Sequence, residues 1–298
     1  MSVLSCVVAA LSATLAAQQP ARTGVLLLAH GGAAQWNERV NAVAAAVDQS
    51  QPTEVAFGMA TRANIQGAID KLAARGVTEI VAVPLFVSSH SSVITSTAYL
   101  LGLRKDAPKD LAVFAKMNHG AAGGEHDSHH RPPAADPSSP VNTTLPIRMT
   151  AALDRHPLAG AIAADRARSI SITPATEAVI LVAHGPVPED DNNKWLADMA
   201  VLAEHVRKAA PFAAVEYMTV RDDAGPEIRD AATRELREKV QAHRAAGRRV
   251  LIVPHLMSFG GIEKGLLKRL EGLEYVITTQ GLMPDRRLAE WVVESARQ

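Results

Sequence analysis

The chain has 298 residues, which at about 150 per domain allows two domains or one large one. Lys plus Arg number 31 against 31 Asp plus Glu, so no net charge field points to nucleic acid or to an anionic membrane surface, and no nucleic-acid partner is expected. The single cysteine, Cys6, excludes an internal disulfide, a thiolate zinc cluster and a Cys-ligated iron–sulfur centre, which leaves His, carboxylate or water to build any metal site.

Residues 3–17 are apolar and small, followed by Gln18-Gln19-Pro20, a pattern that reads as the core and cleavage end of a secretory signal spanning residues 1–20. The stretch is short for a membrane span, and none is expected after its removal. No basic residue precedes it, so a buried amino-terminal helix in a cytoplasmic chain stays open beside the favoured periplasmic or secreted location. Next, residues 25–28 form a continuous apolar strand that ends at Ala29-His30-Gly31-Gly32. A helical stretch around Trp36 follows, then a strand at 54–59, a helix at 63–75 and a strand at 79–83 that runs into Pro84. The pattern then breaks into Gly, Pro, Ser and His across an insertion at about 117–146 that holds His119, His126, His129 and His130. Such a segment builds little core and reads as a disordered insertion, or less favourably as a metal-collecting loop. A strand at 147–150 and a helix at 158–168 close this half.

The same order then repeats. Residues 179–182 end at Ala183-His184-Gly185-Pro186, and a helix around Trp195 follows. After it come a strand at 215–220, a helix at 226–246, a strand at 250–253 ending in Pro254, a strand at 275–278 and a helix at 286–296. This βαβαβ order in duplicate predicts two α/β domains, 21–170 and 171–298, each with a mainly parallel four-stranded sheet flanked by helices.

In parallel sheets ligands bind beyond the carboxyl ends of the strands. His30 stands immediately after the first strand, and His90 lies six residues past Pro84 in Pro84-Leu85-Phe86-Val87-Ser88-Ser89-His90. If those strands are neighbours, both imidazoles enter one crevice. Such a pair suits Co²⁺, Ni²⁺, Fe²⁺ or Zn²⁺ and leaves coordination positions open for release. The bland alternatives are a strand-end histidine bonded to backbone and a surface-loop histidine. In the second half His184 repeats His30, but Gly260 takes the place of His90. His184, His255 and Glu263 are a weaker candidate metal set, for which structural roles are the simpler account. Neither G-x-G-x-x-G nor a phosphate loop is present, so no nucleotide cofactor is expected. Ser88, Ser89, Ser91 and Ser92 lack the G-x-S-x-G elbow of a hydrolase. Arg62, Arg104, Lys105 and Arg148 are candidates to pair with substrate carboxylates or, one by one, to form a solvated basic face.

Three strings, Leu26-Leu27-Leu28-Ala29-His30-Gly31, Val83-Pro84-Leu85-Phe86-Val87-Ser88-Ser89-His90 and Leu153-Asp154-Arg155-His156-Pro157-Leu158, resemble the sirohydrochlorin cobaltochelatase and ferrochelatase group of class II tetrapyrrole chelatases. Leu181-Val182-Ala183-His184-Gly185 extends the likeness into the second half. The resemblance implies tandem chelatase-like domains and a lyase-type activity. The reaction would insert a divalent metal, Co²⁺ or Fe²⁺, into an anionic tetrapyrrole such as sirohydrochlorin held between the domains. It also implies that His30 and His90 are the catalytic metal-binding pair, with His30 helping to accept a pyrrole proton. Where the group carries acidic helpers, this chain has Gly58-Met59, Met218-Thr219 and Ser92. Those replacements keep open a non-catalytic periplasmic metal- or tetrapyrrole-binding protein, and Glu263 supplies a carboxylate only if its loop reaches the same cavity.

Overall fold

The computed structural model describes residues 21–116, 136–258 and 262–298, without the side chains of Ile262 and Glu263. The expected signal segment, the four insertion histidines and Gly260 lie outside the described residues. The first half runs β1 (Thr23–Ala29), α1 (Ala34–Asp48), β2 (Thr53–Phe57), α2 (Arg62–Ala74), β3 (Glu79–Pro84), α3 (Ser92–Leu100), α4 (Leu111–Lys116), β4 (Ile147–Met149) and α5 (Pro157–Ile170). After a 3₁₀ turn the second half runs β5 (Glu177–Ala183), α6 (Glu189–Ala209), β6 (Ala214–Thr219), α7 (Pro226–Ala245), β7 (Arg249–His255), α8 (Ile262–Arg269), β8 (Val276–Ile277) and α9 (Arg287–Arg297). Both sheets are parallel, in the orders β2-β1-β3-β4 and β6-β5-β7-β8. The duplication extends to register: Leu28 pairs with Pro84 and Val182 with Pro254.

Continuous apolar strands form here because both faces of each central strand are covered, so neither face needs polar side chains. Alternate residues serve different cores. Val25, Leu27 and Ala29 of β1 join Val179, Leu181 and Ala183 of β5 in one cluster with the inner faces of α1, α5, α6 and α9. Leu26 and Leu28 turn the other way, onto Ile65, Ile69 and Leu72 of α2. Ile180 and Val182 face Leu236 and Val240 of α7 and Leu266 of α8. Four helices are thereby enclosed between two sheets. The last helix of each half crosses over, α5 packing on α6 and β7, and α9 on α1 and β3. At the α5–α6 contact, a Cβ on Gly160 would meet the His205 ring at 2.6 Å, so the missing side chain sets how closely these helices approach.

Three departures from the sequence reading have local causes. The second strand ends at Phe57 rather than Met59, because Gly58 (φ +123°) and Ala60 (φ +50°) turn the chain. Strand β7 continues through His255, which pairs with Ala183, instead of stopping at Val253. Helix α3 forms from a Ser/Thr/Val/Ile-rich stretch of weak intrinsic propensity; burial of Val93 and Leu100 and a cap from Ser91 Oγ to the Ile94 N–H sustain it.

Candidate metal site at the strand ends

The order β2-β1-β3-β4 sends the chain from β1 to one side and then to the other, opening a crevice at the carboxyl ends of β1 and β3. His30 and His90 follow those two strands. The His30 carbonyl accepts the Trp36 indole N–H at 2.7 Å, and the two rings meet edge to face with centroids 6.1 Å apart. His90 is held through its main chain: its N–H donates to Ser88 Oγ at 3.1 Å, and its carbonyl accepts the Trp195 indole N–H at 2.8 Å. Trp195 lies on α6, so this bond ties the second half to the loop that carries His90.

The Leu153-to-Leu158 string forms the other wall. The N–H groups of Leu153 and Asp154 donate to the carbonyls of Phe86 and Val87, fastening this loop to the one after β3. Asp154 adopts φ +42°, which aspartate tolerates better than most residues, and its carboxylate accepts the Ser89 N–H at 2.6 Å and the Ser89 hydroxyl at 2.7 Å. His156 caps α5 by accepting the Leu158 N–H on Nδ1, and Pro157 occupies the first turn. The serines around His90 are thus structural: Ser88 and Ser89 brace the loop and Ser91 caps a helix.

Three potential ligands converge here. His90, Asp154 and Asp198 each place one donor atom within 4.8 Å of the others. His90 Nε2 lies 3.7 Å from Asp198 Oδ2, with the His90 side chain 33% exposed and that of Asp198 5% exposed. Asp198 projects from α6, and its Oδ1 accepts Arg155 Nε at 2.8 Å while its Oδ2 is buried without a hydrogen-bond partner. Burial pushes the Asp198 carboxyl above the ordinary range; Arg155 and His90 draw it back, and the nearby Asp154 charge pushes it further up. Sequence reasoning missed Asp198, although a signal was present. In Trp195-x-x-Asp198-Met199-x-x-Leu202 an acid shares the apolar stripe of a helix, where unpaired carboxylates are rare.

The remaining candidates sit elsewhere. His30 is outside this three-residue group. His184 follows β5 with Nε2 3.4 Å from Asp223 Oδ2. His255 is the buried last residue of β7, its Nδ1 without a partner. Among the described residues neither belongs to a group of three metal-ligating side chains, and the Glu263 side chain is not described. Arg62 donates to the carbonyls of Ser139 and Pro140, and Arg148 to that of Ala296, which makes both of them fasteners of chain segments. Arg104 and Lys105 are exposed in the turn after α3.

Burial lowers the His255 imidazole from 6.5 to about 4. The unfolded chain therefore binds a proton below about pH 6.5 that the folded chain refuses until about pH 4, and stability falls as pH drops through that window. Urea unfolding of the wild type is expected to lose up to about 3 kcal/mol more than His255→Asn between pH 7 and pH 4. Parallel pH curves for the two proteins would rule this cause out.

Comparison with solved structures places the fold. SirB from Bacillus subtilis with Fe³⁺ superposes with a TM-score of 0.60 at 15% identity, over 93% of this chain and 94% of that one. The sirohydrochlorin chelatase SirB from Bacillus subtilis subspecies spizizenii in complex with cobalt gives 0.57 at 13% identity, over 93% and 94%. CbiX, described as the terminal enzyme for biosynthesis of siroheme in denitrifying bacteria, gives 0.51 at 18% identity, over 92% and 98%. The class is therefore a duplicated α/β protein of chelatase fold. Residues 24–170, just under half of the chain, match the CbiX family model, and that half is similar to the class II chelatases. No curated protein matches it in sequence. Among the described residues, no helix is long and apolar enough to cross a membrane.

Proposed function

We propose that the protein takes a divalent cation, Co²⁺ or Fe²⁺, as substrate and inserts it into an anionic tetrapyrrole such as sirohydrochlorin bound between the two halves. The observation that carries this reading is the convergence of His90 with two carboxylates beyond the switch-point strands of a chelatase fold. One imidazole with oxygen ligands suits a first-row divalent ion, and so small a protein set leaves positions open for the ring nitrogens. Insertion exchanges one M²⁺ for two pyrrolic protons, so the ion must leave its protein ligands as the nitrogens lose their protons to a nearby base. In this reading His90 holds the ion, and His30, at the end of the neighbouring strand, accepts one pyrrolic proton while the other passes to solvent water.

Anaerobic incubation with sirohydrochlorin and Co²⁺ or Fe²⁺, followed by absorption, tests the proposal. Insertion above the uncatalysed rate is expected, and it should vanish in the His30→Ala, His90→Ala double variant. Stoichiometric metal uptake without acceleration would instead make this a metal-binding protein on the same fold.

A further inference from the structure

The two halves can be laid over one another residue by residue, and the comparison isolates the metal-ligating group. Leu153 and Asp154 donate to the carbonyls of Phe86 and Val87; Leu282 and Met283 donate to those of Leu256 and Met257 in the same arrangement, two and three residues past Pro84 and Pro254. Asp154 thus corresponds to Met283. Along the first helix of each half, buried Val40, Val43, Ala44 and Val47 match Met199, Leu202, Ala203 and Val206, which sets Trp36 on Trp195 and Arg39 on Asp198. Counting six residues from each proline sets His90 on Gly260. The ligating trio His90, Asp154, Asp198 has the counterparts Gly260, Met283, Arg39: a residue without a side chain, a thioether and a cation. At the two described counterparts, Met283 and Arg39, the matching backbone folds without acids, so the fold alone does not call for the two carboxylates.

We infer that His90, Asp154 and Asp198 form a divalent-cation site shared between the halves, in which α6 of the second half delivers Asp198 as a metal ligand to the first. This rests on the reading of His90 as the metal-holding group. The Asp198 side chain is 95% buried by its 5% exposure, and its unpartnered Oδ2 lies on the side of His90 Nε2. Ligand atoms about 2.1 Å from a common ion are about 3.4 Å apart at a tetrahedral angle, close to the 3.7 Å between these two atoms. Arg155, 62% exposed, lies on the other carboxylate oxygen, where its charge opposes the arriving ion. Arg155 is accordingly a competitor of the metal and Asp198 a ligand, so removing Asp198 weakens metal binding and removing Arg155 does not.

The test is Co²⁺ titration of the full chain, read by visible absorption and calorimetry, for wild type, His90→Ala, Asp198→Asn, Asp198→Glu and Arg155→Gln, with thermal midpoints recorded alongside. Asp198→Asn should weaken Co²⁺ binding at least about ten-fold, as should His90→Ala, while Asp198→Glu recovers part of the affinity and Arg155→Gln leaves it unchanged or tighter. Equal weakening by Asp198→Asn and Arg155→Gln would reduce Asp198 to an ion-pair partner at the interface and overturn the inference. A loss in His90→Ala with none in Asp198→Asn would overturn it too, leaving the proposed function standing. Absence of Co²⁺ binding by the wild type would remove the proposed function itself. If Asp198→Asn unfolds, the comparison of Asp198→Glu with Arg155→Gln decides.

Discussion

Truncating His90 to alanine is expected to lower metal insertion about 100-fold or more, since even the outer partners of metal ligands typically cost 10–100-fold. The variant should remain folded, because both hydrogen bonds that fasten this residue use its main chain, Ser88 Oγ accepting its N–H and its carbonyl accepting the Trp195 indole. Alanine keeps both. The imidazole is 33% exposed, so its loss leaves little cavity. Steady-state insertion assays with sirohydrochlorin and Co²⁺, set beside thermal melts, check this. A rate within a factor of two of wild type in the folded variant would remove His90 from the reaction, and a collapse in thermal midpoint would show a structural role instead.

What could be read from the sequence, and what could not, follows from the range of the interactions involved. Val25 to Leu28 announce a doubly covered strand because four consecutive apolar residues suit no other short parallel element, and their repetition at 179–182 reveals the duplication. His30 and His90 were legible as strand-end residues, since a parallel sheet sends its functional groups to that end. Asp154 stood within a recognised string, but its use depends on a positive φ and on Ser89, 65 residues earlier, which no local pattern encodes. Asp198 was further out of reach. Its significance arises only when α6 of one half meets the β3–α3 loop of the other, a contact that chain order does not state. The exchange of α5 and α9 between halves was hidden for the same reason, because an amphipathic helix shows that it has a buried face but not which sheet receives it.

That exchange leads to the second large effect. Replacing Leu181 with alanine is expected to cost about 3–5 kcal/mol, since the side chain is fully buried and close-packed neighbours relax only partly into the space it vacates. Leu181 belongs to the cluster that also holds Leu27 of the first sheet and the inner faces of α1, α5, α6 and α9, so the weakness it creates is shared by both halves. The three tryptophans make this measurable. Trp195 and Trp291 lie in the shared cluster and Trp36 packs against it, so fluorescence reports the layer between the sheets, whereas far-UV circular dichroism reports the helices of both halves. In urea the two signals should fall together, in the wild type and, at a lower midpoint, in Leu181→Ala. A fluorescence change preceding the loss of ellipticity would mean that the halves separate before either unfolds. A site built from residues of both halves would then be lost while each sheet still stood, and insertion activity should follow the fluorescence curve. Coincident transitions would instead tie the loss of the His90–Asp198 contact to the unfolding of the core shared by both halves.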